Sequence, residues 1–266
     1  MTRKNLIIGA IAGDIIGSVF EWDNIKTVKF DLFCQSSTFT DDSVLTLATM
    51  SALINNTGYS QTYYSFGNKF HNKGYGHNFR SWLISDNPKP YNSWGNGSAM
   101  RVSPIGWYFN NIEETLLEAK KSAEVTHNHP EGIKGAQAVA AAVFLARNGK
   151  SKDDIKKFII DKIGYNLDRT IDNIRPDYEF DVSCQGSVPE AIIAFLESTD
   201  YENAIRLAVS IGGDSDTIAC ITGGIAEAFY RNISDEIIDN VLSILPEELI
   251  KIIEDFSNKY DKTSMP

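Results

Sequence analysis

Two short acidic clusters carry the residue types best suited to bind a divalent cation. Residues 39–43 read FTDDS and residues 212–217 read GGDSDT, so each cluster brings two aspartates and one threonine to the predicted start of a helix. One such residue can cap the free amides of the first turn and suits the positive end of the helix dipole. Two aspartates exceed what a cap needs, and their charges repel each other. The aspartate pairs therefore favour metal binding over capping alone.

The two clusters complement each other if the fold brings them face to face. Together they would supply four carboxylates and two hydroxyls, which are hard oxygen ligands that suit Mg²⁺ or Mn²⁺ and not Zn²⁺. Four close carboxylates repel one another, and two divalent ions would neutralise them in a two-metal site. An EF-hand loop beginning at Asp214 is excluded, because Ala219 and Ile225 occupy the positions that need glycine and glutamate.

Three further segments hold candidate residues with competing explanations. Residues 95–101, GNGSAMR, could bind a pyrophosphate through backbone amides and Arg101, or could be a glycine turn with a surface arginine. Residues 126–132, THNHPEG, contain two of the four histidines, which is too few for a dedicated histidine metal site, and a loop after a helix is the ordinary interpretation. Glu21 follows the first helix. It is either a solvated glutamate, or it has another role that compensates for the unfavourable helix dipole at this end of the helix.

These segments together resemble the ADP-ribosylglycohydrolase family over nearly the whole chain. Each motif is weak alone, and the signal lies in finding five in the expected order: residues 9–18, 39–43, 95–101, 126–127 and 212–217. The resemblance implies an all-α fold with a binuclear Mg²⁺ centre in a cleft. It also implies an enzyme that cleaves the glycosidic bond at the ribose anomeric carbon and releases ADP-ribose from a modified acceptor.

The resemblance also assigns roles to individual residues by motif match. For catalysis it implicates Glu21, since one branch of the family has a catalytic glutamate here, and Asp41, since another branch relies on metal-site aspartates. The implied metal ligands are Thr40, Asp41, Asp42, Asp214, Asp216 and Thr217. The implied substrate-binding residues are Asn96, Gly97, Ser98, Met100, Arg101, His127, Gly212 and Gly213. His129 is left without a role.

The acceptor stays open at this point, as do two other classes of protein. The partner is an ADP-ribosylated protein or another ADP-ribosylated acceptor: arginine, serine, another side chain, nucleic acid or a small metabolite. One alternative is a non-catalytic ADP-ribose-binding protein of the same fold. The other is an aspartyl-phosphate phosphatase, suggested by the Asp-x-Asp spacing of Asp214 and Asp216, which requires the motif at the end of a strand in an α/β sheet.

The elements that position these residues are predicted to be helices. Apolar residues recur at spacings of three and four, which indicates one buried face per helix. The first such face runs from Ile8 to Val19. Further helices are predicted over residues 41–55, 61–72, 112–125, 135–147, 152–163, 189–196, 201–209, 217–230, 235–243 and 247–260. We therefore predict an all-α protein, a single compact domain of orthogonal helices over residues 1–266, with a binuclear metal cleft.

Few segments of the chain lack helical periodicity. Only residues 27–33 and 178–182 show weak alternation typical of strands. Three long connections, at residues 21–40, 74–94 and 166–186, stand between predicted helices. Long connections of this kind are often functional, so we expect the chemistry to lie there.

Composition excludes some classes of protein and indicates the cellular location. The chain has 266 residues and a formal net charge of −10, which argues against a broad nucleic-acid footprint. Asp14 interrupts the apolar run near the N-terminus, so neither a signal peptide nor a membrane span is predicted. Three scattered cysteines indicate buried reduced thiols rather than disulfides. A cytoplasmic location is expected.

Overall fold

Helices account for most of residues 6–260, the part of the chain that the computed structural model describes. In chain order they are α1 (Gly9–Gly17), α2 (Asp41–Asn55), α3 (Tyr59–Lys69), α4 (His77–Leu83), α5 (Gly97–Met100), α6 (Ser103–Tyr108), α7 (Ile112–Glu124), α8 (Pro130–Arg147), α9 (Lys152–Phe158), α10 (Ile171–Ile174), α11 (Cys184–Glu197), α12 (Tyr201–Ile211), α13 (Ser215–Tyr230), α14 (Asp235–Ile244) and α15 (Glu247–Lys259). A π-helical turn, Ile159–Ile163, continues α9.

The all-α prediction is confirmed. Residues 6–260 contain no strand, and residues 27–33 and 178–182 are irregular, so both strand candidates were wrong. An isolated antiparallel bridge pairs Gly95 with Ser183 and joins two loops near the site. An aspartyl-phosphate phosphatase needs its motif at the end of a sheet strand, so this alternative is excluded.

Helix boundaries depart from the predicted ones where a cap or proline starts the helix early. Helix α8 begins at Pro130 instead of residue 135, because proline fits the first turn and the His129 ring nitrogen Nδ1 accepts the Glu131 amide at 3.1 Å. His129 is therefore a helix cap, in a segment predicted to be a loop. Helix α11 begins at Cys184, five residues before the predicted start, with the Ser183 side chain as its cap.

The helices that carry the two acidic clusters meet at α1. Gly9, Gly13 and Gly17 recur every fourth residue and place the backbone of α1 directly against α13. A β-carbon on Gly13 would lie 2.1 Å from the Ala219 carbonyl oxygen, so only glycine fits there. Helix α2 also packs on α1. This arrangement brings the N-termini of α2 and α13, with their aspartates, to the same side of α1.

The structure bears on two further predictions, which concern membrane-spanning helices and the cysteines. No helix within residues 6–260 combines the length and the apolar character needed to cross a membrane. The three cysteines are free, as expected, and Cys184 and Cys220 are buried. Cys34 is exposed, so the expectation of three buried thiols was wrong for this residue, which lies in the long connection at residues 21–40.

Candidate functional site

A cleft of about 440 Å³ opens where α2 and α13 begin. All three long connections of the sequence contribute to its wall, through residues 21–22, residues 74–80, 91 and 93, and residues 180 and 182. Of the predicted site residues, those that line the cleft are Glu21, Asp41, Asp42, Asn96, Gly97, Met100, Arg101, His127, Asp214, Asp216 and Thr217. The cleft thus joins both acidic clusters to the glycine loop before α6.

Carboxylates from four segments converge in this cleft. Side-chain oxygens of Asp14, Asp42 and Asp216 lie within 4.8 Å of one another. Glu21, Asp214 and Asp216 form a second group within the same limit. The two groups share Asp216. The structure therefore brings the two clusters face to face and adds Glu21 to them.

Asp14 is a site residue that the sequence analysis missed. It lies in α1 with no exposed surface, and its carboxylate accepts hydrogen bonds from the Thr40 amide (3.0 Å), the Thr40 hydroxyl (2.6 Å), the Ser43 amide (3.1 Å) and the Ser43 hydroxyl. The available signal was the aspartate itself, because an acidic residue inside an apolar helical run is buried only where it has partners. Asp14 fixes the start of α2 relative to α1.

The protein environment disfavours ionisation of these carboxyl groups. Burial, together with the charge of Asp216, raises the pKa of Asp41 and Asp42 well above the usual range. Burial and the charge of Asp214 do the same to the pKa of Asp216. Burial raises the pKa of Asp214 to about 6, although hydrogen bonds from Asp216 and Asn96 oppose the shift. A site that resists negative charge so strongly suits a bound cation.

Glu21 has an intermediate environment at the edge of the group. It is half-buried, and burial followed by the charge of Asp216 raises its pKa to about 7. A hydrogen bond with the Trp22 side chain opposes this shift. A carboxyl group that titrates near neutral pH and faces a cleft can hold or release a proton during a reaction.

The threonines and Asp41 occupy different places around the cluster. Thr217 donates its hydroxyl to Asp42 at 3.3 Å and lines the cleft. Thr40 caps α2 by accepting the Asp42 amide at 3.2 Å, while its own hydroxyl points to Asp14. Asp41 lies at the cleft wall beside Gly74 and outside the two carboxylate groups. Gly74 has a φ of 94°, a conformation that favours glycine.

The glycine loop joins the second acidic cluster through Asn96. Its side-chain amide donates to Asp214 at 2.6 Å and to the Ser187 hydroxyl at 3.0 Å. Gly97 faces His127, since a β-carbon there would lie 3.1 Å from the ring nitrogen Nε2. Burial and the nearby Arg101 lower the pKa of His127 well below its usual value, so the imidazole is neutral at pH 7. Asn96, Gly97 and His127 thus form a polar, uncharged part of this wall, beside the buried guanidinium of Arg101.

Arg101 lines the cleft from a fully buried position, and Ser98 lies behind the cleft surface. The Arg101 guanidinium has no exposed surface, packs over the Tyr63 ring at 4.2 Å, and donates to the Ser122 carbonyl (2.8 Å) and the Thr126 hydroxyl (2.9 Å). Thr126 in turn contacts His127 Nδ1 at 2.7 Å. Arg101 therefore orients the Thr126–His127 pair from behind. Ser98 donates to the Gly132 carbonyl at 2.7 Å and is completely buried.

The two glycines before Asp214 form a turn that the Glu21 segment holds. Both have positive φ, 76° for Gly212 and 71° for Gly213. Asn24 accepts the Gly213 amide at 2.6 Å and donates to the Gly213 carbonyl at 3.0 Å. Neither glycine lines the cleft. Their place in the site is to direct Asp214 toward Asp216 and to connect this turn to the loop that carries Glu21.

These features define an all-helical protein whose cleft gathers carboxylates from four segments beside a polar wall that includes His127 and Arg101. The family model of the ADP-ribosylglycohydrolases matches residues 4–264. The chain therefore belongs to the ADP-ribosylglycohydrolase family, and the predicted enzyme class, a hydrolase of glycosyl bonds to ADP-ribose, is confirmed.

Individual relatives agree with this assignment. The ADP-ribosylhydrolase ARH3 of Homo sapiens is 25% identical over an alignment 310 positions long, which covers 85% of each chain. The ADP-ribosylarginine hydrolase Tri1 of Pseudomonas putida (strain GB-1) is 28% identical over 147 residues, covering 51% of this chain and 38% of Tri1. A solved structure, "ADP-ribosylglycohydrolase-related protein complex", shares the fold with a TM-score of 0.69 at 21% identity, covering 96% of this chain and 98% of its own.

Proposed function

We propose that this chain is a Mg²⁺-dependent hydrolase that cleaves the bond between the anomeric carbon of ADP-ribose and an oxygen or nitrogen of a modified acceptor. The observation that carries the proposal is the pair of carboxylate groups that share Asp216 in the wall of the cleft. Mn²⁺ is the alternative metal, because it accepts the same ligands. Free ADP-ribose is the expected product.

The donor atoms support binding of two divalent cations. Oδ1 of Asp42 is buried and has no hydrogen-bond partner among the described residues, an arrangement that is costly unless a cation satisfies it. All donors are oxygens, which matches Mg²⁺. Two groups that share one aspartate fit two neighbouring ions. We assign the ligands to Thr40, Asp41, Asp42, Asp214, Asp216 and Thr217.

The residues of the chain would bind and orient the ribose. Bound Mg²⁺ would supply positive charge that neutralises the carboxylates and fixes the ribose hydroxyls. Positive charge builds on the ribose ring as the glycosidic bond breaks, and the surrounding carboxylates stabilise it. The carboxylates thus act on the reacting ribose as well as on the cations.

Proton transfer is assigned to a carboxyl oxygen of Glu21. Its pKa of about 7 allows it to take a proton from the attacking water or to give one to the leaving group near neutral pH. Asp41 also faces the cleft and is the second candidate for this step. Substitution of each carboxylate by its amide distinguishes the two.

The rest of the cleft would hold the ADP portion. Its volume of about 440 Å³ falls within the usual range for a site that encloses a small molecule. Neutral walls from Gly97 and His127 suit the sugar and phosphate hydrogen bonds better than more carboxylates would. We assign substrate binding to Asn96, Gly97, Ser98, Met100, Arg101, His127, Gly212 and Gly213, of which Ser98, Arg101 and the two glycines act through the residues they position.

The proposal also covers the partner, the domain organisation and the location of the protein. The partner is an ADP-ribosylated protein or another ADP-ribosylated acceptor, which the family match supports. Residues 1–266 form one domain, which the family match over 4–264 supports. The location is cytoplasmic, which the three free cysteines support.

The proposal is tested with Asp216→Ala in an assay of ADP-ribose release from a panel of ADP-ribosylated acceptors. Asp216 belongs to both carboxylate groups, so its loss should abolish turnover while far-UV circular dichroism stays unchanged. Asp153→Ala, at an exposed position on α9, is the matched control and should retain full activity. Full activity of Asp216→Ala, or of the wild type in excess chelator, contradicts the metal mechanism. Tight ADP-ribose binding without release from any acceptor would indicate the non-catalytic alternative.

A further inference from the structure

An exposed aromatic pair stands at the mouth of the cleft without a role in the core. The rings of Trp22 and Phe180 stack with their centroids 5.2 Å apart and their planes at 23°. Trp22 is 81% exposed and Phe180 is 43% exposed, yet both line the cleft, as does the exposed Val182. Large apolar side chains left in water beside a binding site are typical of a contact surface. We call Trp22, Phe180 and Val182 the aromatic rim.

The aromatic rim is placed beside the reacting end of the cleft. Trp22 directly follows Glu21, whose carboxyl group lies with Asp214 and Asp216. A group attached to the anomeric carbon would therefore leave past Glu21 and along the rim. The ADP portion would extend toward Gly97 and His127. The Val182 carbonyl accepts the Asn96 amide at 2.8 Å, so the Val182 end of the rim lies beside the glycine loop. Trp22, at the Glu21 end, is the rim residue that would face the acceptor.

Several hydrogen bonds hold the rim at a fixed distance from the acidic cluster. Asn24 bonds to both backbone groups of Gly213. Lys26 Nζ donates to the Ile211 carbonyl (2.6 Å) and to the Tyr178 carbonyl (2.7 Å), which joins the Trp22 loop to the Phe180 loop. The two loops that carry the rim are therefore tied both to each other and to the turn before Asp214. This is a preformed surface, which lowers the entropic cost of binding.

The charges around the aromatic rim are mainly negative. Asp23 beside Trp22 and Glu179 beside Phe180 are exposed, and Asp181 on the other side of Phe180 is half-buried. Of the two nearby cations among the described residues, Arg175 is paired with Asp172, whereas Lys26 donates to carbonyls and keeps its charge, so three carboxylates face one unpaired cation. Indole and phenyl faces attract ammonium and guanidinium groups, and neighbouring carboxylates strengthen that attraction. A nucleic-acid acceptor would meet repulsion here.

We propose that the aromatic rim is an acceptor subsite that binds a polypeptide segment with lysine or arginine beside the ADP-ribosylated residue. The positively charged side chain packs on the Trp22 face, while Asp23 and Glu179 balance its charge. This inference rests on the proposed function and names the acceptor class for the same cleft. It predicts selectivity for the sequence around the modified residue, separate from the type of linkage.

The test uses synthetic ADP-ribosylated peptides with the same linkage and different flanking residues. Serine-linked and arginine-linked sets are each made with basic, neutral and acidic flanks, and kcat/KM is measured with Mg²⁺ present. The wild type should prefer basic over neutral flanks by about tenfold, the size expected for a cation–π contact with nearby carboxylates. Trp22→Ala should remove this preference, and Trp22→Phe should retain most of it.

Two controls distinguish an effect of the aromatic rim on the acceptor from a general effect of the substitution. Ile84→Ala removes another large side chain of similar exposure, 82%, that does not line the cleft, and it should leave the preference intact. Affinity for free ADP-ribose should be the same in the wild type and Trp22→Ala, because ADP-ribose carries no acceptor. The ratio between basic and neutral flanks isolates the rim from any effect of Trp22 on Glu21, which would act on every peptide alike.

Specific results would overturn the inference. Equal kcat/KM for basic and neutral flanks in the wild type would do so, as would an equal loss on all peptides in Trp22→Ala. Faster release from an ADP-ribosylated oligonucleotide than from the basic peptides would assign the cleft to nucleic acid instead. If no acceptor is turned over, the proposed function has failed. The same peptides then test the rim through binding to the Mg²⁺-loaded protein, where basic flanks should bind more tightly and Trp22→Ala should abolish the difference.

Discussion

Asp14 organises the acidic cluster through hydrogen bonds to its neighbours. Its carboxylate accepts the amide and hydroxyl protons of both Thr40 and Ser43, so the first turn of α2 is held from outside by α1. Residues that orient metal ligands through hydrogen bonds increase metal affinity even where they do not coordinate the metal themselves. The geometry of Asp42 therefore depends on Asp14.

Asp14→Asn tests this dependence. The amide keeps the size of the side chain but has one acceptor oxygen instead of two, so part of the support for Thr40 and Ser43 is lost. We expect Mg²⁺ affinity to fall by roughly 10- to 100-fold, measured by calorimetric titration. Asp153→Asn on the exposed face of α9 should bind Mg²⁺ as the wild type does. Unchanged affinity in Asp14→Asn would show that Asp14 has no part in the metal site.

Glu21→Gln tests the proton transfer at the residue scale. The amide cannot exchange a proton, so kcat should fall by roughly 10²- to 10⁴-fold, the usual contribution of a general acid or base. KM should change little, and Mg²⁺ affinity should fall much less than kcat, because Asp214 and Asp216 of the same carboxylate group remain. The measurement is steady-state kinetics of ADP-ribose release. Undiminished kcat in Glu21→Gln, with loss of kcat in Asp41→Asn, would transfer the role to Asp41.

At the scale of elements, the packing of α1 on α13 sets the distance between the acidic clusters. Three glycines of α1 allow backbone contact with α13, and Gly13 is the tightest of these contacts. Close backbone packing fixes the positions of Asp14 and Asp216 more rigidly than contact through side chains would. Helix α1 is therefore the part of the scaffold on which the site most depends.

Gly13→Ala should separate the two helices. The added methyl group would meet the Ala219 carbonyl and Cys220 amide in the backbone of α13, which cannot move aside cheaply. We expect the free energy of unfolding, measured by urea denaturation, to fall by about 3 kcal/mol or more, because overpacking a core has a cost of this size. Gly58→Ala is the matched control, because nothing lies within 4 Å of its added β-carbon and its φ of −67° is ordinary. Equal stability of the two variants would contradict the packing argument.

The sequence predicted the long helices well because their apolar faces repeat over several turns. Helix α2 has the predicted bounds, Asp41–Asn55. The short helices α4, α5, α6 and α10 were not predicted, because helices of one or two turns depend on tertiary contacts for their stability. The convergence of the two acidic clusters followed from their matching composition. The aspartate inside the apolar run of α1 indicated that Asp14 has buried partners, but the sequence did not identify those partners. The positions of Trp22 and Phe180 could not be predicted, because they depend on how two long loops pack.

At the scale of the whole molecule, the carboxylate cluster couples folding to pH and metal. Burial raises the pKa of Asp14, Asp41, Asp42 and Asp216, and raises that of Asp214 to about 6 and that of Glu21 to about 7. The folded, metal-free protein therefore binds protons more tightly than the unfolded chain does. From the ordinary carboxyl pKa near 4 up to about 7, the unfolded chain loses protons first, so stability falls as pH rises.

Thermal unfolding measures this coupling. In chelator, we expect Tm to be higher at about pH 5.5 than at about pH 8, by roughly 5 °C. Added Mg²⁺ should raise Tm more at the higher pH, because protons compete with the cation for the same oxygens. Asp216→Asn removes a charge shared by both carboxylate groups and should weaken both effects. A metal-free Tm that rises between these pH values, with the same slope in Asp216→Asn, would argue against the cluster as the cause.

In the proposed mechanism, ADP-ribose hydrolysis depends on a metal centre around Asp216. The most direct measurement follows ADP-ribose release and the number of bound Mg²⁺ ions in the same titration of chelator-treated wild-type protein. We expect no release from the metal-free protein and full release once two ions are bound per chain. Release at the full rate by protein shown to hold no divalent metal would contradict it.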